Sequence, residues 1–384
     1  MIRSKIWRFA ALVATVMLFV AACGGPPATE APAATEAPAP TEAPAATEAP
    51  AATEAPAATE APAATEAPAA PTEVNIAGIT ITPLEEPWNT AWIQTMDRLK
   101  EENAHGLTIN LDVTENVAPP DAERVLREYA QTGKYDIIWA HSAYPDAIRV
   151  LKDEFPDILW AFSGSGNEGL GGNAYWADVF VHEPAYLMGI IAGMMTQTDT
   201  IGAVAAYPFP NVSAPINGYI AGARSVNPEV KVKMTYIESW FDPPKAKESA
   251  EAQIAAGADF IYAERFGPFE AVQAHEGVYA FGHFVDQNSL APEVVVTSAV
   301  ARWDPDAEVI LNAWYDHVVN GTPYDAPVER VQFSMNDGGA DLAPYHDLES
   351  TLPQEVKDAV DQTKADILSG SLEVPINEAE VVSD

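Results

Sequence analysis

The sequence predicts an α/β protein built from two similar lobes, each a doubly wound parallel sheet with helices on both faces. Short apolar runs rich in β-branched and aromatic residues alternate with segments of helical periodicity along residues 74–384. The alternation restarts near residue 182, and the 311 residues after Glu73 are enough for two hydrophobic cores. Repeated strand–helix units favour parallel sheets covered by helices, and two successive runs favour two lobes.

The first run opens with a strand and then a helix that carries Trp92, Met96 and Leu99 on one face. Gly133 follows the second helix at the position where helices commonly end. The predicted elements of this run are strand 74–81, helix 89–103, strand 107–113, helix 120–132, strand 135–140, helix 145–155, strand 158–162 and strand 175–181.

The second run has the same pattern, and Gly257 ends its third helix. Its predicted elements are helix 184–196, strand 201–206, helix 215–225, strand 231–237, helix 244–256 and strands 260–263, 279–284 and 294–300. The short apolar segment 331–335 and a helix over 354–368 finish the chain.

These elements predict an N-terminal lobe of residues 74–181 and about 297–330, and a C-terminal lobe of residues 182–296 and about 331–384. The chain would cross between the lobes three times, near residues 180–182, 288–297 and 323–331. Ligands of doubly wound folds bind outside the carboxyl ends of the parallel strands. We therefore expect a ligand cleft between the lobes.

The N-terminus predicts a lipoprotein. Arg3, Lys5 and Arg8 precede an apolar stretch over residues 9–22, which is too short to span a bilayer, and Cys23 follows it. Cys23 is the only cysteine, and its small neighbours resemble the bacterial lipobox, in which this cysteine becomes the lipidated first residue. Residues 1–22 are then the signal peptide, and the protein is anchored on the extracytoplasmic face of the cell membrane.

Residues 23–73 predict a disordered linker. A six-residue unit of Ala, Thr, Glu and Pro repeats from Pro26 to Glu73 without any aromatic or branched apolar residue. Such a composition cannot bury a core, and regular prolines prevent a continuous helix. In the extended polyproline conformation the linker would reach about 150 Å, at ~3.1 Å per residue.

The charge excludes nucleic acid as a partner. Residues 74–384 hold 17 basic and 48 acidic residues, a net charge of −31. A nucleic-acid binder needs a basic patch, whereas an acidic surface mainly keeps a secreted domain soluble. We therefore expect the lipid at Cys23, and not the folded domain, to hold the protein at the membrane.

Several phrases in the second run carry a family resemblance. YLMGIIAG at residues 186–193, IGAV at 201–204, GYIAGARSVNP at 218–228 and WFDP at 240–243 resemble the signature of the basic-membrane-protein (BMP) family. The resemblance covers essentially residues 74–384. It implies a type I periplasmic-binding-protein fold and a lipid-anchored receptor that delivers purine nucleosides or related purines to an ABC permease and its ATPase.

The departures from the family pattern favour a flat ligand without a sugar. The aspartate of the family's first phrase is missing, and acidic character survives there only in Glu85 or Glu86. Phe284 stands where the family has an aspartate that fits sugar binding, and Ala301 replaces a usual lysine. The resemblance therefore implies a purine base more than a nucleoside.

Candidate ligand-binding residues lie in the loops that follow predicted strands, where the cleft should open. Aromatic faces stack on flat heterocycles, and a few polar groups orient them. The aromatic candidates are Trp88, Tyr144, Trp240, Phe241 and Phe284, of which Trp240 and Phe241 cannot easily both face the cleft. The polar candidates are Asn89, His141, Ser142, Ser163, Asn211, Glu264 and Arg265.

No signature of catalysis, cofactor binding or metal binding is present. The glycine-rich segments lack the phosphate-loop lysine, and the seven histidines have no zinc-ligand spacing. We expect a monomeric receptor without enzymatic activity or cofactor. A signalling receptor for the same ligands, or a secreted nucleoside or sugar hydrolase, remains as the alternative.

Overall fold

The computed structural model describes residues 70–384. The signal peptide, Cys23 and nearly all of the linker therefore lie outside the described residues. No helix within residues 70–384 has the length and hydrophobicity to cross a membrane.

The first lobe is a five-stranded parallel sheet in the order β2-β1-β3-β4-β5. The last helix of this lobe, α8 (Asp304–Asn320), comes from much later in the chain and is tied to α1 (Pro87–Glu102) by the Arg98–Asp304 ion pair. The elements are β1 (Glu73–Ile79), α1 (Pro87–Glu102), β2 (Thr108–Thr114), α2 (Pro119–Gln131), β3 (Ile137–Ala140), α3 (Pro145–Glu154), β4 (Leu159–Ser163), β5 (Ala174–Ala177) and α8 (Asp304–Asn320).

The second lobe is a six-stranded sheet in the order β11-β10-β9-β8-β6-β7, in which only β11 is antiparallel to its neighbour. Its elements are α4 (His182–Met195), β6 (Thr200–Ala205), α5 (Pro210–Val226), β7 (Lys231–Tyr236), α6 (Pro243–Ala255), β8 (Phe260–Ala263), α7 (Pro268–Gln273), β9 (Tyr279–Phe284), β10 (Val295–Ala301), β11 (Ala340–Leu342) and α9 (Gln354–Leu368). Two α/β lobes with parallel sheets confirm the predicted fold class.

The structure differs from the sequence-based prediction mainly after residue 267. The 17-residue helix α8 and the short helix α7 were not predicted, and 331–335 forms only a single bridge between Val331 and Ala177. The signals for α8 were present: Asp304 and Pro305 stand at its start and Gly321 caps its end with a φ of 67°.

The predicted positions of two of the three lobe crossings, 288–297 and 323–331, were wrong. Residues 288–297 connect β9 to β10 inside the second sheet, and β10 continues there through Ala301, so the return to the first lobe does not begin at 297. The crossings are residues 178–181, 302–303 and 332–334, since Val331 still pairs with β5 and Met335 donates to Glu183 of α4.

The glycines of the family phrases allow α4 and α5 to pack closely. A Cβ atom on Gly222 would lie 2.0 Å from the carbonyl oxygen of Tyr186, and one on Gly189 would lie 2.0 Å from that of Tyr219. No side chain fits at these distances. The phrases that carry the resemblance therefore encode a helix–helix contact in the second lobe.

Candidate ligand-binding site

A small cavity lies between the lobes, where the carboxyl ends of the central strands face one another. Its volume is about 50 Å³. A cavity that holds benzene has about 150 Å³, so the cleft is closed and too small for a ligand of that size. The lining residues are Ile81, Thr82, Glu86, Trp88, Ser142, Val212, Trp240, Glu264, Arg265 and Phe284.

The first-lobe wall is built on Trp88 in the first turn of α1. Its ring stacks on His141, with centroids 5.2 Å apart, and meets the edges of Phe284 at 5.2 Å and Trp303 at 4.9 Å. Glu86 caps the helix by accepting a hydrogen bond from the Trp88 amide, which fixes the backbone of this residue. Trp88 therefore lies at the junction of the two lobes.

The second-lobe wall is built on Trp240, which precedes α6. Its ring stacks on Phe209 with planes 8° apart, and the Arg265 guanidinium lies 5.8 Å from its centroid. Phe241 points away from the cavity and lines a separate outer groove with Phe266. The expectation that only one of the adjacent aromatic residues faces the cleft agrees with this geometry, and that residue is Trp240.

A buried charged trio connects the lobes. Arg265 Nη1 lies 2.8 Å from Glu86 Oε1 of the first lobe, and Arg265 Nη2 lies 2.5 Å from Glu264 Oε1 of its own lobe. All three side chains are at most 6% exposed. Burial raises the pKa of both carboxyl groups, and the Arg265 charge partly offsets this. The trio places hydrogen-bond acceptors and donors side by side in an apolar cleft.

Three predicted polar residues brace the first-lobe wall and do not line the cavity. The Asn89 amide donates to Thr82 and to the carbonyl of Pro83 within its own loop. His141 is stacked between Trp88 and Trp92, and burial lowers its pKa to about 3, so it is neutral. Ser163 accepts from the indole of Trp139 at 2.6 Å and pairs with His141.

The remaining candidates divide between the cavity, the core and the lobe contact. Ser142 lines the cavity. Tyr144 is buried in the first-lobe core, where its hydroxyl donates to the Val117 carbonyl. The backbone amide of Asn211, in the first turn of α5, donates across the lobes to Ser165.

Sequence reasoning missed four lining residues, of which Glu86 is the most consequential. No sequence signal of a site marks Ile81, Thr82 or Val212. For Glu86, the sequence indicated only that either Glu85 or Glu86 keeps the acidic character of the family's first phrase. Its position directly before Pro87 is a signal, because a residue before a first-turn proline is a helix cap with its side chain near the strand end. Glu85 is exposed and lies in the outer groove.

Phe284 has a strained backbone. Its φ is 60°, a left-handed conformation that costs a residue with a Cβ atom about 1–2 kcal/mol. The ring is 2% exposed and lies 3.8 Å from that of His283. Such strain concentrates at functional sites, and here it directs an aromatic ring into the cleft beside Trp88.

The fold and the cleft define a two-lobed solute-binding protein, and the comparison with known families agrees. Residues 83–378 match the Bmp family, described as ABC transporter substrate-binding protein PnrA-like. The chain belongs to this family, which confirms the resemblance seen in the sequence. Substrate-binding proteins of this class bind small molecules and work with a permease.

Individual relatives are named for different ligands. TsgA13 of Haloferax volcanii, named for glucose binding in an ABC transporter, is 30% identical over 78% of this chain and 74% of its own. A purine-binding protein of Brucella abortus is 29% identical over 74% of this chain and 79% of its own. Among solved structures, an ABC transporter solute-binding protein from Conexibacter woesei has a TM-score of 0.62 at 24% identity, covering 80% of this chain and all of that one.

Proposed function

We propose that this protein is an extracytoplasmic lipoprotein that captures a purine base between its lobes and delivers it to the permease of an ABC importer. The observation that carries the proposal is the pairing of aromatic rings from both lobes, Trp88 and Trp240, with a buried carboxylate–guanidinium trio in one cleft. Aromatic faces bind a flat heterocycle, and the trio can match its ring nitrogens and N–H groups.

The cleft favours a base over a nucleoside because Phe284 fills the corner beside Trp88. A ribose would need hydroxyl acceptors and space at this position, whereas an aromatic ring offers only an edge or a face to another ring. The excess of carboxylate over guanidinium favours a ligand with several N–H donors. A relative named for purine binding supports the same ligand class.

A hexose is the second candidate, because the relative with 30% identity is named for glucose binding. Carboxylates and an arginine can also bind paired hydroxyl groups. What favours the purine is the strained Phe284, which replaces a polar group by an aromatic one in the cleft.

Isothermal titration calorimetry of the full chain with adenine, adenosine and glucose tests the proposal. We expect adenine to bind at least about tenfold more tightly than adenosine, a difference of about 1.4 kcal/mol. Phe284→Asp should narrow or reverse this preference, while Phe266→Asp in the outer groove should leave it unchanged. Equal binding of base and nucleoside, or tight binding of glucose alone, would contradict the ligand assignment.

Delivery rests on the lipobox at Cys23, which would hold the protein at the membrane surface where a permease lies. Uptake of labelled adenine by cells that lose and regain the gene tests it. Normal uptake without the protein, together with a changed transcriptional response to adenine, would favour the signalling receptor instead.

A further inference from the structure

His283 lies beside the charged trio, on the strand next to the one that Glu264 follows. Tyr262 in β8 and Glu264 directly after it are two residues apart, so their side chains share one face of the sheet. His283 of the neighbouring strand β9 contacts both, with Nδ1 2.6 Å from the Tyr262 hydroxyl and Nε2 3.6 Å from Glu264 Oε1. All three side chains are fully buried. His283 therefore connects the core of the second lobe to the wall of the ligand cavity.

The hydrogen bonds of this row determine which ring nitrogen of His283 carries the proton. Burial lowers the pKa of His283 well below its usual range, and the Arg265 charge acts in the same direction, so the ring is neutral with one donor and one acceptor. Within residues 70–384 the Tyr262 hydroxyl has no partner except Nδ1, so it donates there. Nε2 then carries the proton. The opposite tautomer would leave the hydroxyl proton unpaired and would turn a nitrogen lone pair towards the Glu264 carboxylate.

The Nε2–H group of His283 has no hydrogen-bond partner in the described part of the chain. Glu264 Oε1 is the acceptor that it faces, and Arg265 Nη2 already donates to this oxygen at 2.5 Å. The other oxygen, Oε2, accepts from Arg265 Nε at 2.8 Å and from the Ala206 amide at 3.0 Å. A buried donor without a partner is rare and needs an explanation. This donor would be satisfied if Arg265 released Glu264 Oε1.

We propose that His283 is a positioning residue of the ligand site, which donates to Glu264 Oε1 when Arg265 exchanges this carboxylate for a ligand. The inference rests on the proposed function, because it requires a ligand with acceptors that Arg265 can bind. A cavity of about 50 Å³ takes up such a ligand only if the trio rearranges. With His283 and the Ala206 amide as donors, Glu264 stays in place at the cavity wall while Arg265 turns to the ligand.

NMR of the full chain with isotope-labelled histidine, at one fixed pH, tests the exchange directly. The free protein should show the neutral tautomer of His283 with the proton on Nε2. Saturating adenine should move the signal of this proton downfield, because it gains a hydrogen bond to a carboxylate, while Nδ1 remains an acceptor. A histidine with a purely structural role would keep the same signal in both states.

Calorimetry with adenine measures what the donor contributes to binding. His283→Phe removes the donor, and Tyr262→Phe in the same chain avoids a hydroxyl without a partner. We expect this double variant to bind adenine about tenfold more weakly. His283→Gln alone, which keeps an N–H donor, should recover most of the loss. His275→Gln is the control, because exposed His275 bonds only the Ala271 carbonyl of α7, and its loss should leave the affinity unchanged.

Failure of the ligand assignment and failure of this proposal give different results. If adenine does not bind the unmodified chain, the proposed ligand is wrong, and the same NMR titration is made with glucose. Arg265→Lys tests the exchange without any ligand: it keeps the buried charge but lacks the Nη2 donor, so the His283 Nε2 proton should again move downfield.

Three results would each overturn the proposal: a proton on Nδ1 of His283 in the free protein, an Nε2 signal that moves neither with a bound probe nor in Arg265→Lys, or full adenine affinity in the double variant. If the double variant does not fold, the NMR signals of the unmodified chain and of Arg265→Lys decide.

Discussion

The stability of the protein should respond very differently to replacing Glu86 and to replacing Arg265 in the buried charged trio. Replacing Glu86 with Gln leaves Arg265 paired with Glu264 through two hydrogen bonds of 2.8 and 2.5 Å. The trio then becomes a neutral pair, and one buried charge no longer needs to be desolvated. We expect the free energy of unfolding to change by less than about 1 kcal/mol, since the large cost of breaking a buried ion pair arises when a charge is left without a partner, and Arg265 keeps Glu264.

Replacing Arg265 with Gln removes the only cation that faces these two carboxylates in the described part of the chain. Both acids would remain fully buried beside each other, and breaking a buried pair in this way costs about 3–5 kcal/mol. The cost should shrink as the pH falls, because the raised pKa values of Glu86 and Glu264 let them take up protons and become neutral. At high pH the variant should be least stable relative to the unmodified protein.

Urea unfolding at several pH values measures both effects, and the slope against urea concentration checks that the transition stays comparable. Arg224→Gln is the control: Arg224 pairs with Asp384 at 2.6 Å, but both side chains are more than 40% exposed, so we expect less than about 1 kcal/mol. Equal destabilisation by Glu86→Gln and Arg265→Gln would refute the reasoning, because it would mean that the trio behaves as two independent bridges.

Three further predictions follow from the cleft, the N-terminus and the α4–α5 contact. Trp88→Ala should weaken adenine binding, measured by calorimetry, about 5- to 150-fold, because ~1–3 kcal/mol of stacking is lost. Trp88→Phe should weaken binding less, and unchanged affinity in Trp88→Ala would place the ligand elsewhere. Cys23→Ser should release the protein from the membrane fraction, and a variant that stays lipid-modified there would disprove the lipoprotein assignment. Gly222→Ala should lower the free energy of unfolding by about 1–3 kcal/mol, because the added methyl group overpacks against Tyr186. Gly370→Ala is the control: its Cβ would meet open space, so only the left-handed backbone should cost stability, about 1 kcal/mol. Equal losses in urea unfolding would argue against the close helix contact.

The alternation of strands and helices was predictable because each buried strand and each amphipathic helix has its own local pattern. Strand 260–263 has the observed bounds, and helix 354–368 is α9. The crossings were harder, because no local pattern says which sheet a strand joins. Strand β10 contains only small and β-branched residues and would fit either lobe; its pairing with β9 is decided by tertiary contacts.

The candidate site was predictable in its aromatic residues and less so in its polar ones. Trp88 and Trp240 follow strands, Phe284 ends one, and all three line the cavity. The other two aromatic candidates do not, because Tyr144 packs in the core and Phe241 lines the outer groove. Asn89 and His141 occupy equally suitable positions in the sequence, yet their polar atoms are used by the protein's own loops. Whether a polar side chain faces a ligand or braces a loop depends on partners that are distant in sequence, such as Trp92 against His141.

The effect of replacing Trp88 on stability also depends on partners that are distant in sequence. From the sequence, a cleft residue should be half exposed and cost little stability on removal. In the structure, Trp88 packs against His141, Phe284 and Trp303, and each aromatic pair contributes about 0.5–1.5 kcal/mol beyond area burial. We therefore expect Trp88→Ala to destabilise the closed protein as well as weaken binding, and Trp88→Phe separates the two effects.

The closed cleft has a consequence for how a ligand must act on this protein. A cavity of about 50 Å³ between Trp88 and the charged trio cannot admit a purine without movement of the lobes or of side chains. The Glu86–Arg265 contact, at 2.8 Å, bridges the lobes in the closed arrangement, so a ligand is not the only group that can favour closure. A ligand shifts the balance of open and closed forms only by its differential affinity for them. The purine base proposed above must therefore favour the closed form through its own contacts with the rings and polar groups of the cleft.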